Sequence, residues 1–107
     1  PLAAERPYLP VAPRALPAYG RTVMKPVIVY TTRMCPYCIM AKRLLAKKGA
    51  AFEDIDVSSD WAARDALVEK AGGRMTVPQI WIGDTHIGGY DELSALDRAG
   101  KLDALLA

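Results

Sequence analysis

The sequence predicts an α/β domain in which a four-stranded mixed sheet is flanked by helices. The first observation is a continuous run of apolar, mostly β-branched residues at 27–31, typical of a strand buried on both faces. The second is the strand–helix–strand order that starts there, because such a unit forms a right-handed parallel crossover. The third is a pair of short strands around a Gly-Asp turn at 83–84, which adds an antiparallel half. The predicted order is β-α-β-α-β-β-α.

The first predicted helix begins at Pro36, where a missing N–H costs little because the first turn leaves that group unpaired. Its apolar positions recur at helical spacing, so one face is expected to be buried. This face consists of Cys38, Ala41 and Leu45, with Leu44 beside them. The basic residues are expected to face the solvent, and they are Lys42, Arg43, Lys47 and Lys48. Gly49 is suited to end the helix.

The second strand and helix follow from a change of pattern. Ile55 and Val57 alternate with acidic residues, which predicts a strand with one wet side at an edge of the sheet. A polar cluster then offers side chains that can cap the next helix. These are Ser58, Ser59 and Asp60. The predicted buried set of this helix is Trp61, Leu67 and Val68, and two glycines at 72–73 end it.

The last part of the chain predicts a hairpin and a helix. Ile80 and Ile82 alternate with Trp81, and a short strand returns after the turn. Asp91 is positioned to cap the third helix, and residues 101–107 are expected to form a short last turn.

Three single residues are expected to have packing or surface roles. Trp61 and Trp81 are expected to pack, because large aromatic side chains dominate core burial. His86, the only histidine, is expected to be a surface or half-buried residue.

Length and charge limit the function classes. The 107 residues suffice for one small domain, and the excess of two positive charges lies within residues 1–23. The balanced remainder gives little reason to expect nucleic acid or an anionic membrane as a partner. No apolar run approaches the roughly 18 residues of a membrane span. Proline recurs in residues 1–23, so we expect an N-terminal extension that is non-native or flexible, ahead of a folded domain at 24–107.

Cys35 and Cys38 are the only cysteines, and three uses compete for them. A structural disulfide is disfavoured, because its stabilisation grows with the length of the loop it closes and this loop holds two residues. A structural zinc site needs four ligands, and the chain adds only His86 and carboxylates. A reactive pair is favoured, since C-x-x-C beside a βαβ pattern is typical of a redox site.

The predicted chemistry follows from the position of the pair at a helix start. Cys35 falls at the N-cap, where the N–H groups of Tyr37 and Cys38 and the helix dipole favour its thiolate. Arg33 adds positive charge nearby. Because thiolate is the attacking species in disulfide exchange, Cys35 is the candidate nucleophile. Cys38, one turn further in, is the candidate resolving cysteine.

The segments "CPYC", "TVPQIWI" and "HIGGYDEL", in this order and spacing, resemble the short bacterial dithiol glutaredoxins over about residues 24–107. The resemblance implies a thioredoxin-like fold and a glutathione-dependent thiol-disulfide oxidoreductase that reduces glutathione mixed disulfides and protein disulfides. It assigns Cys35 as nucleophile and Cys38 as resolving residue. It also implies glutathione as reducing cosubstrate, no metal, client proteins carrying disulfides or glutathione, a monomeric state and a cytoplasmic location.

The resemblance further implies a glutathione site. Its residues are Tyr37, Arg74, Thr76, Val77, Pro78, Gly89, Tyr90 and Asp91. In this assignment Pro78 is cis and the Val77 backbone pairs with glutathione as an added strand. The N–H groups of Tyr90 and Asp91 suit the γ-glutamyl carboxylate, and the Asp91 side chain suits the ammonium group.

Two positions depart from the family pattern. At one of them Tyr90 replaces a small residue or cysteine, and its ring is expected either to cover the groove or to face the solvent. Thr32 stands three residues before the nucleophile, where many members have lysine. We therefore expect Arg74, or Arg33 after a loop adjustment, to meet the glycyl carboxylate of glutathione.

Two other functions are compatible with the cysteine pair. One is a redoxin served by thioredoxin reductase, but the Pro-Tyr pair between the cysteines and the GGYD segment favour glutathione. The other is a carrier of a [2Fe–2S] cluster held between two chains, and Pro36 argues against it because members with that activity usually lack this proline.

Overall fold

Four strands and four helices form residues 24–107, the part of the chain that the computed structural model describes. The strands are β1 (Val27–Thr31), β2 (Phe52–Asp56), β3 (Gln79–Ile82) and β4 (Thr85–Gly88). The helices are α1 (Pro36–Lys47), α2 (Trp61–Lys70), α3 (Tyr90–Arg98) and α4 (Leu102–Leu106). The extension expected over residues 1–23 lies outside the described residues. No described helix is long and apolar enough to cross a membrane.

The sheet is mixed, as predicted, with the strands in the order β2-β1-β3-β4. β1 pairs in parallel with β2, antiparallel with β3, and β3 pairs antiparallel with β4. β2 lies at an edge, as predicted, but its burial does not alternate, because four of its five residues are half-buried and only Asp56 is exposed. This order brings the end of β1, the start of β3 and the end of β4 to one side of the sheet.

Two apolar clusters cover the sheet. The larger joins it to α1, α3 and α4 and contains Val27, Val29, Ala41, Leu45, Ile80, Ile82, Leu93, Leu102 and Leu106. The smaller packs α2 on the opposite face and contains Val57, Leu67, Ala71 and Trp81. Each fully buried side chain of Val or Leu size contributes roughly 1.5–3 kcal/mol, so the larger cluster dominates the stability. The other face of β1 is less covered than predicted, because Ile28 and Tyr30 are half-buried.

Helix α1 buries the predicted face of Cys38, Ala41 and Leu45. It ends as predicted, since Gly49 follows with a φ of 75°, a conformation that glycine adopts without steric cost. The prediction of a uniformly solvated basic face was wrong at two positions.

Two lysines of that face make ion pairs with neighbouring elements. Lys42 Nζ lies 2.6 Å from the carboxylate of Asp54 on β2. Lys48 Nζ lies 2.7 Å from the carboxylate of Asp97 on α3 and 3.2 Å from that of Asp103 on α4. These ion pairs link the end of α1 to both helices. These partners are distant in sequence, so helical periodicity alone could not identify them.

Helix α2 begins with Asp60 as N-cap, whose carboxylate accepts the N–H of Ala63 at 3.0 Å. Leu67 is buried as predicted, but Trp61 is 80% exposed, so the prediction that it packs was wrong. The physical reason is the angle between the two side chains. Six residues at about 100° each place Trp61 about 120° away from Leu67 around the helix axis, so the two cannot face the sheet together. The face that meets the sheet instead carries Ala63, Leu67 and Ala71, spaced by four.

The two tryptophans give a matched test of this packing. Trp81→Ala should lower the free energy of unfolding by about 3 to 5 kcal/mol, because a large buried side chain is lost. Trp61→Ala should change it by less than about 0.5 kcal/mol. Urea unfolding followed by circular dichroism measures both, and comparable losses in the two variants would contradict the described burial.

Candidate functional site

Cys35 and Cys38 lie where the chain leaves β1 and enters α1. Met34 turns the chain with a φ of 56°, in the left-handed region, and is 96% exposed. Cys35 is the N-cap of α1, and Cys38 is its third residue, with the two Cα atoms 5.2 Å apart. The two sulfurs are joined as a disulfide, and Cys35 is 8% exposed against 2% for Cys38. The more accessible cysteine is therefore the one predicted to be the nucleophile.

Sγ of Cys35 is held by the backbone of the helix start. It accepts the N–H of Cys38 at 3.1 Å, one of the two contacts predicted from the sequence. On its other side it lies 3.8 Å from the carbonyl oxygen of Val77. An N–H donor and the positive end of the helix dipole both favour negative charge on this sulfur once the disulfide is reduced.

A cleft of about 290 Å³ opens beside Cys35, between the starts of α1 and α3 and the segment before β3. It is lined by Tyr37, Arg74, Thr76, Val77, Pro78, Gly89, Tyr90, Asp91 and Glu92. The structure thus brings all eight residues predicted for glutathione binding to one cleft and adds Glu92. Among residues 24–107, no three His, Cys, Asp or Glu side chains gather where they could hold a metal ion.

The wall nearest to Cys35 is formed by the segment 76–78. The peptide bond between Val77 and Pro78 is cis, as expected from the resemblance. Val77 is half-buried, and Thr76 before it is exposed. The backbone of this segment therefore runs along the cleft surface, where an extended peptide can meet it.

Two tyrosines also line the cleft. The rings of Tyr37 and Tyr90 lie 6.3 Å apart between centroids, with their planes inclined by 30°. Both line the cleft, so the Tyr90 ring borders it rather than pointing away. A centroid distance of about 4.5–7 Å is typical of aromatic rings that interact with each other, so the two tyrosines form one continuous aromatic surface.

The start of α3 differs from the prediction. Gly89 is the N-cap and Asp91 is the second helical residue, so the prediction that Asp91 caps the helix was wrong. The capping contact comes from Glu92, whose carboxylate accepts the N–H of Gly89 at 2.7 Å. This bond, supplemented by Arg74, holds the pKa of Glu92 below its ordinary value of 4.5. The spacing of Glu92 three residues after the N-cap is the sequence signal that would have found it.

Glu92 also places a cation at the cleft. One guanidinium nitrogen of Arg74 lies 3.6 Å from its carboxylate. Gly88, at a φ of 111°, leaves the room for this pair, since a Cβ there would lie 2.8 Å from Arg74 and 2.9 Å from Glu92. A side chain at Gly88 would displace both groups.

The other candidate cation, Arg33, faces a different part of the molecule. Its backbone N–H donates to Ser58 Oγ at 2.7 Å, and its guanidinium donates to Ser59 Oγ at 3.2 Å. It is directed toward the loop before α2 and does not line the cleft. Of the two arginines, the structure therefore places Arg74 in the candidate site.

Comparison with known proteins gives concordant matches. The glutaredoxin family model matches residues 27–87. A glutaredoxin of Pseudomonas aeruginosa is 58% identical over 84 residues, covering 78% of this chain and 99% of that protein. The solution structure of a glutaredoxin from Brucella melitensis has a TM-score of 0.71 at 52% identity, covering 81% and 94% of the two chains. The crystal structure of a buckwheat glutaredoxin–glutathione complex has a TM-score of 0.71 at 34% identity, covering 77% and 76%.

The capping role of Glu92 predicts a pH-dependent stability. Because the folded state favours its carboxylate, its contribution is present above pH 4.5, the ordinary pKa, and is lost as the pH falls through the lowered value. Glu92→Gln should therefore cost about 0.5 kcal/mol at neutral pH and nothing at strongly acidic pH. Urea unfolding at a series of pH values measures the difference between variant and parent.

Glu69→Gln is the control for that series, because Glu69 is an exposed carboxylate on α2 outside the cleft. It should change stability little at any pH. A loss in Glu92→Gln that persists unchanged into acid would contradict the role of the charge.

Proposed function

This chain belongs to the glutaredoxin family, and on that premise we propose that its cleft holds glutathione against Cys35 during thiol–disulfide exchange. The family acts as thiol-disulfide oxidoreductases with glutathione, and that is the activity of this chain. The proposal assigns the individual roles: Cys35 is the nucleophile, Cys38 is the resolving cysteine, and residues 24–107 are the functional unit.

The observation that carries these roles is the setting of the Cys35 sulfur. It accepts a backbone N–H at the start of α1 and lies 3.8 Å from Val77 O, at the wall of the cleft. A ligand thiol held along that wall would reach the sulfur without a change of fold. Cys38 is buried beneath it, so an incoming disulfide meets Cys35 first.

For a glutathionylated client, the Cys35 thiolate attacks the glutathione sulfur. The client sulfur leaves as a thiolate and takes a proton from water, and Cys35 is left joined to glutathione. A second glutathione, as its thiolate, attacks the glutathione sulfur on Cys35 and forms glutathione disulfide. Cys35 returns as the thiolate, so each turnover consumes one glutathione thiol and converts the client mixed disulfide into a client thiol and glutathione disulfide.

For a client protein disulfide, both cysteines take part. Cys35 attacks one client sulfur and forms a mixed disulfide, and the other client sulfur leaves as a thiolate. Cys38 then attacks Cys35, which frees the client and closes the Cys35–Cys38 disulfide, the state in this structure. Two glutathione molecules reopen that disulfide and leave as glutathione disulfide.

The proposed seat of glutathione uses groups that match its charges. The Val77 backbone pairs with the peptide as an added strand. The N–H groups of Tyr90 and Asp91 at the start of α3, with the Asp91 carboxylate, take the γ-glutamyl end, because a helix N-terminus favours an anion and a carboxylate favours the ammonium group. Arg74 supplies the positive charge for the glycyl carboxylate and exchanges its contact with Glu92 for it.

The setting of the activity follows from its reductant. Glutaredoxins work at roughly −200 to −230 mV, a range in which a glutathione pool can reduce them. We therefore place this protein in the cytoplasm, as a monomer that acts on client proteins carrying disulfides or glutathione.

Serine substitutions test the two cysteine roles. Cys35→Ser should abolish turnover of both glutathionylated and protein-disulfide substrates. Cys38→Ser should retain activity on a small glutathionylated substrate and lose most activity on a protein disulfide, because only the second reaction needs a resolving thiol. Coupled assays with glutathione measure turnover, and mass spectrometry should find glutathione on Cys38→Ser. Normal turnover in Cys35→Ser would overturn the assignment.

The arginines test the proposed seat. Arg74→Gln should raise the KM for glutathione about fivefold, since a partly exposed ion pair contributes about 1 kcal/mol. The same variant should leave the KM for γ-glutamylcysteine unchanged, because that compound lacks the glycyl carboxylate. Arg33→Gln is the matched control and should leave both values unchanged. An effect of Arg74→Gln on both compounds would instead assign Arg74 to the γ-glutamyl end.

A further inference from the structure

A chain of hydrogen bonds runs behind the 76–78 wall of the cleft. Gln79, the first residue of β3, is completely buried, and its Nε2 donates to the carbonyl of Thr76 at 3.0 Å and to Thr76 Oγ1 at 3.3 Å. The carbonyl can only accept, so the amide orientation of Gln79 is fixed by its partner. The bonds tie an exposed residue of the cleft to a buried strand.

The chain continues across the hairpin to β4. His86 Nε2 lies 2.7 Å from Gln79 Oε1, and since an amide oxygen only accepts, the imidazole carries its proton on Nε2 and donates it. The ring stacks on Trp81 at 4.4 Å with the planes 19° apart. Burial, together with Arg74 and Lys70, lowers the pKa of His86, which keeps the imidazole neutral near neutral pH.

The surroundings make His86 a fixed support. Trp81 holds one face of the ring, and Lys70 in turn lies 4.6 Å from the Trp81 ring centroid. A side chain held by stacking and by one short hydrogen bond has little rotational freedom. His86 therefore restricts the position of the Gln79 amide, to which it is hydrogen-bonded.

We infer that Gln79 and His86 are positioning residues that hold the Thr76–Val77 backbone in the alignment required for glutathione. Thr76 is anchored at two atoms, and the next residue, Val77, places its carbonyl 3.8 Å from Cys35 Sγ. Because the anchored wall is already ordered before glutathione binds, less conformational entropy is lost on binding, and the affinity for glutathione is higher. The inference rests on the proposed function, in which the Val77 backbone binds glutathione.

A purely structural role for the same bonds makes a different prediction. Bonds that only stabilised the hairpin would affect the free energy of unfolding and leave the KM unchanged. Anchoring of the wall predicts that the KM for glutathione rises while kcat stays nearly constant, because the wall binds glutathione equally in the ground state and in the transition state. The ratio of the two effects distinguishes the roles.

The test compares two variants with a stability control in the full chain. Gln79→Met keeps the length of the side chain and removes its hydrogen bonds, and it should raise the KM for glutathione about fivefold, the effect of losing one net hydrogen bond. His86→Phe keeps the stacking on Trp81 and should raise the KM about threefold, through one lost bond to Gln79. Both should leave kcat within about twofold.

Ile82→Val is the control, since Ile82 is buried on the same strand but belongs to the larger core cluster. It should lower the stability and leave the KM unchanged. The double variant Gln79→Met/His86→Phe should raise the KM no more than Gln79→Met alone, because His86 acts through Gln79. The inference would be overturned if the KM for glutathione were unchanged in both Gln79→Met and His86→Phe, or if Ile82→Val raised this KM as much as they do. If Gln79→Met does not fold, the KM of His86→Phe decides alone.

A nuclear magnetic resonance titration separates this inference from the proposed function. In Cys38→Ser carrying glutathione on Cys35, the Val77 amide signal should shift from its position in the free variant. If it shifts and both positioning variants keep the parental KM, the cleft is correct and the positioning roles are wrong. If it does not shift, the proposed seat of glutathione is itself wrong.

Discussion

The bond from the N–H of Cys38 to Sγ of Cys35 joins the fold of this protein to its chemistry. It exists because Cys35 occupies the N-cap of α1, where a side chain that accepts a hydrogen bond satisfies one of the unpaired N–H groups of the first turn. Serine or aspartate usually supplies that acceptor. Here a sulfur does, so the group that caps the helix is also the group that the helix start favours as an anion. The reactive atom is thus fixed by backbone geometry rather than by a neighbouring charged side chain.

The sheet topology explains why the other parts of the site meet this sulfur. β1 ends beside the start of β3 because the two strands are antiparallel, with Tyr30 opposite Gln79. β4 ends on the same side of the sheet, since its last residue, Gly88, lies opposite Ile80 near the start of β3. The segments that leave or enter these strand ends are the cysteine loop, the 76–78 wall and the start of α3. Along the chain, the wall and the start of α3 lie about forty and about fifty residues after the cysteine loop. The mixed sheet brings all three segments together at the same end of its strands.

The sequence predicts the strands, the first helix and the redox pair well, because each depends on local periodicity or on spacing within a few residues. Its failures have three causes: a partner distant in sequence, a choice between adjacent positions, and the angular position of a residue on its helix. Lys42 and Lys48 find acids on other elements, and Trp61 lies one helical face away from the sheet. At the start of α3, Glu92 rather than Asp91 makes the capping bond, although its spacing was visible. The contact between Gln79 and His86 depends on hairpin register and could not be inferred from composition.

The charges of the cleft suit a cosubstrate that must both bind and leave. Arg74 is paired with Glu92 in the structure, so an anionic ligand has to compete with a carboxylate that its own bond to Gly89 keeps ionised. Partly exposed ion pairs are worth about 0–1 kcal/mol, so this competition weakens the hold on a ligand without abolishing it. In the proposed seat of glutathione, the backbone wall and the helix start supply orientation at the same time. Because tighter uniform binding would slow the departure of oxidised glutathione without aiding exchange, a cleft that aligns its ligand well and holds it moderately fits repeated turnover.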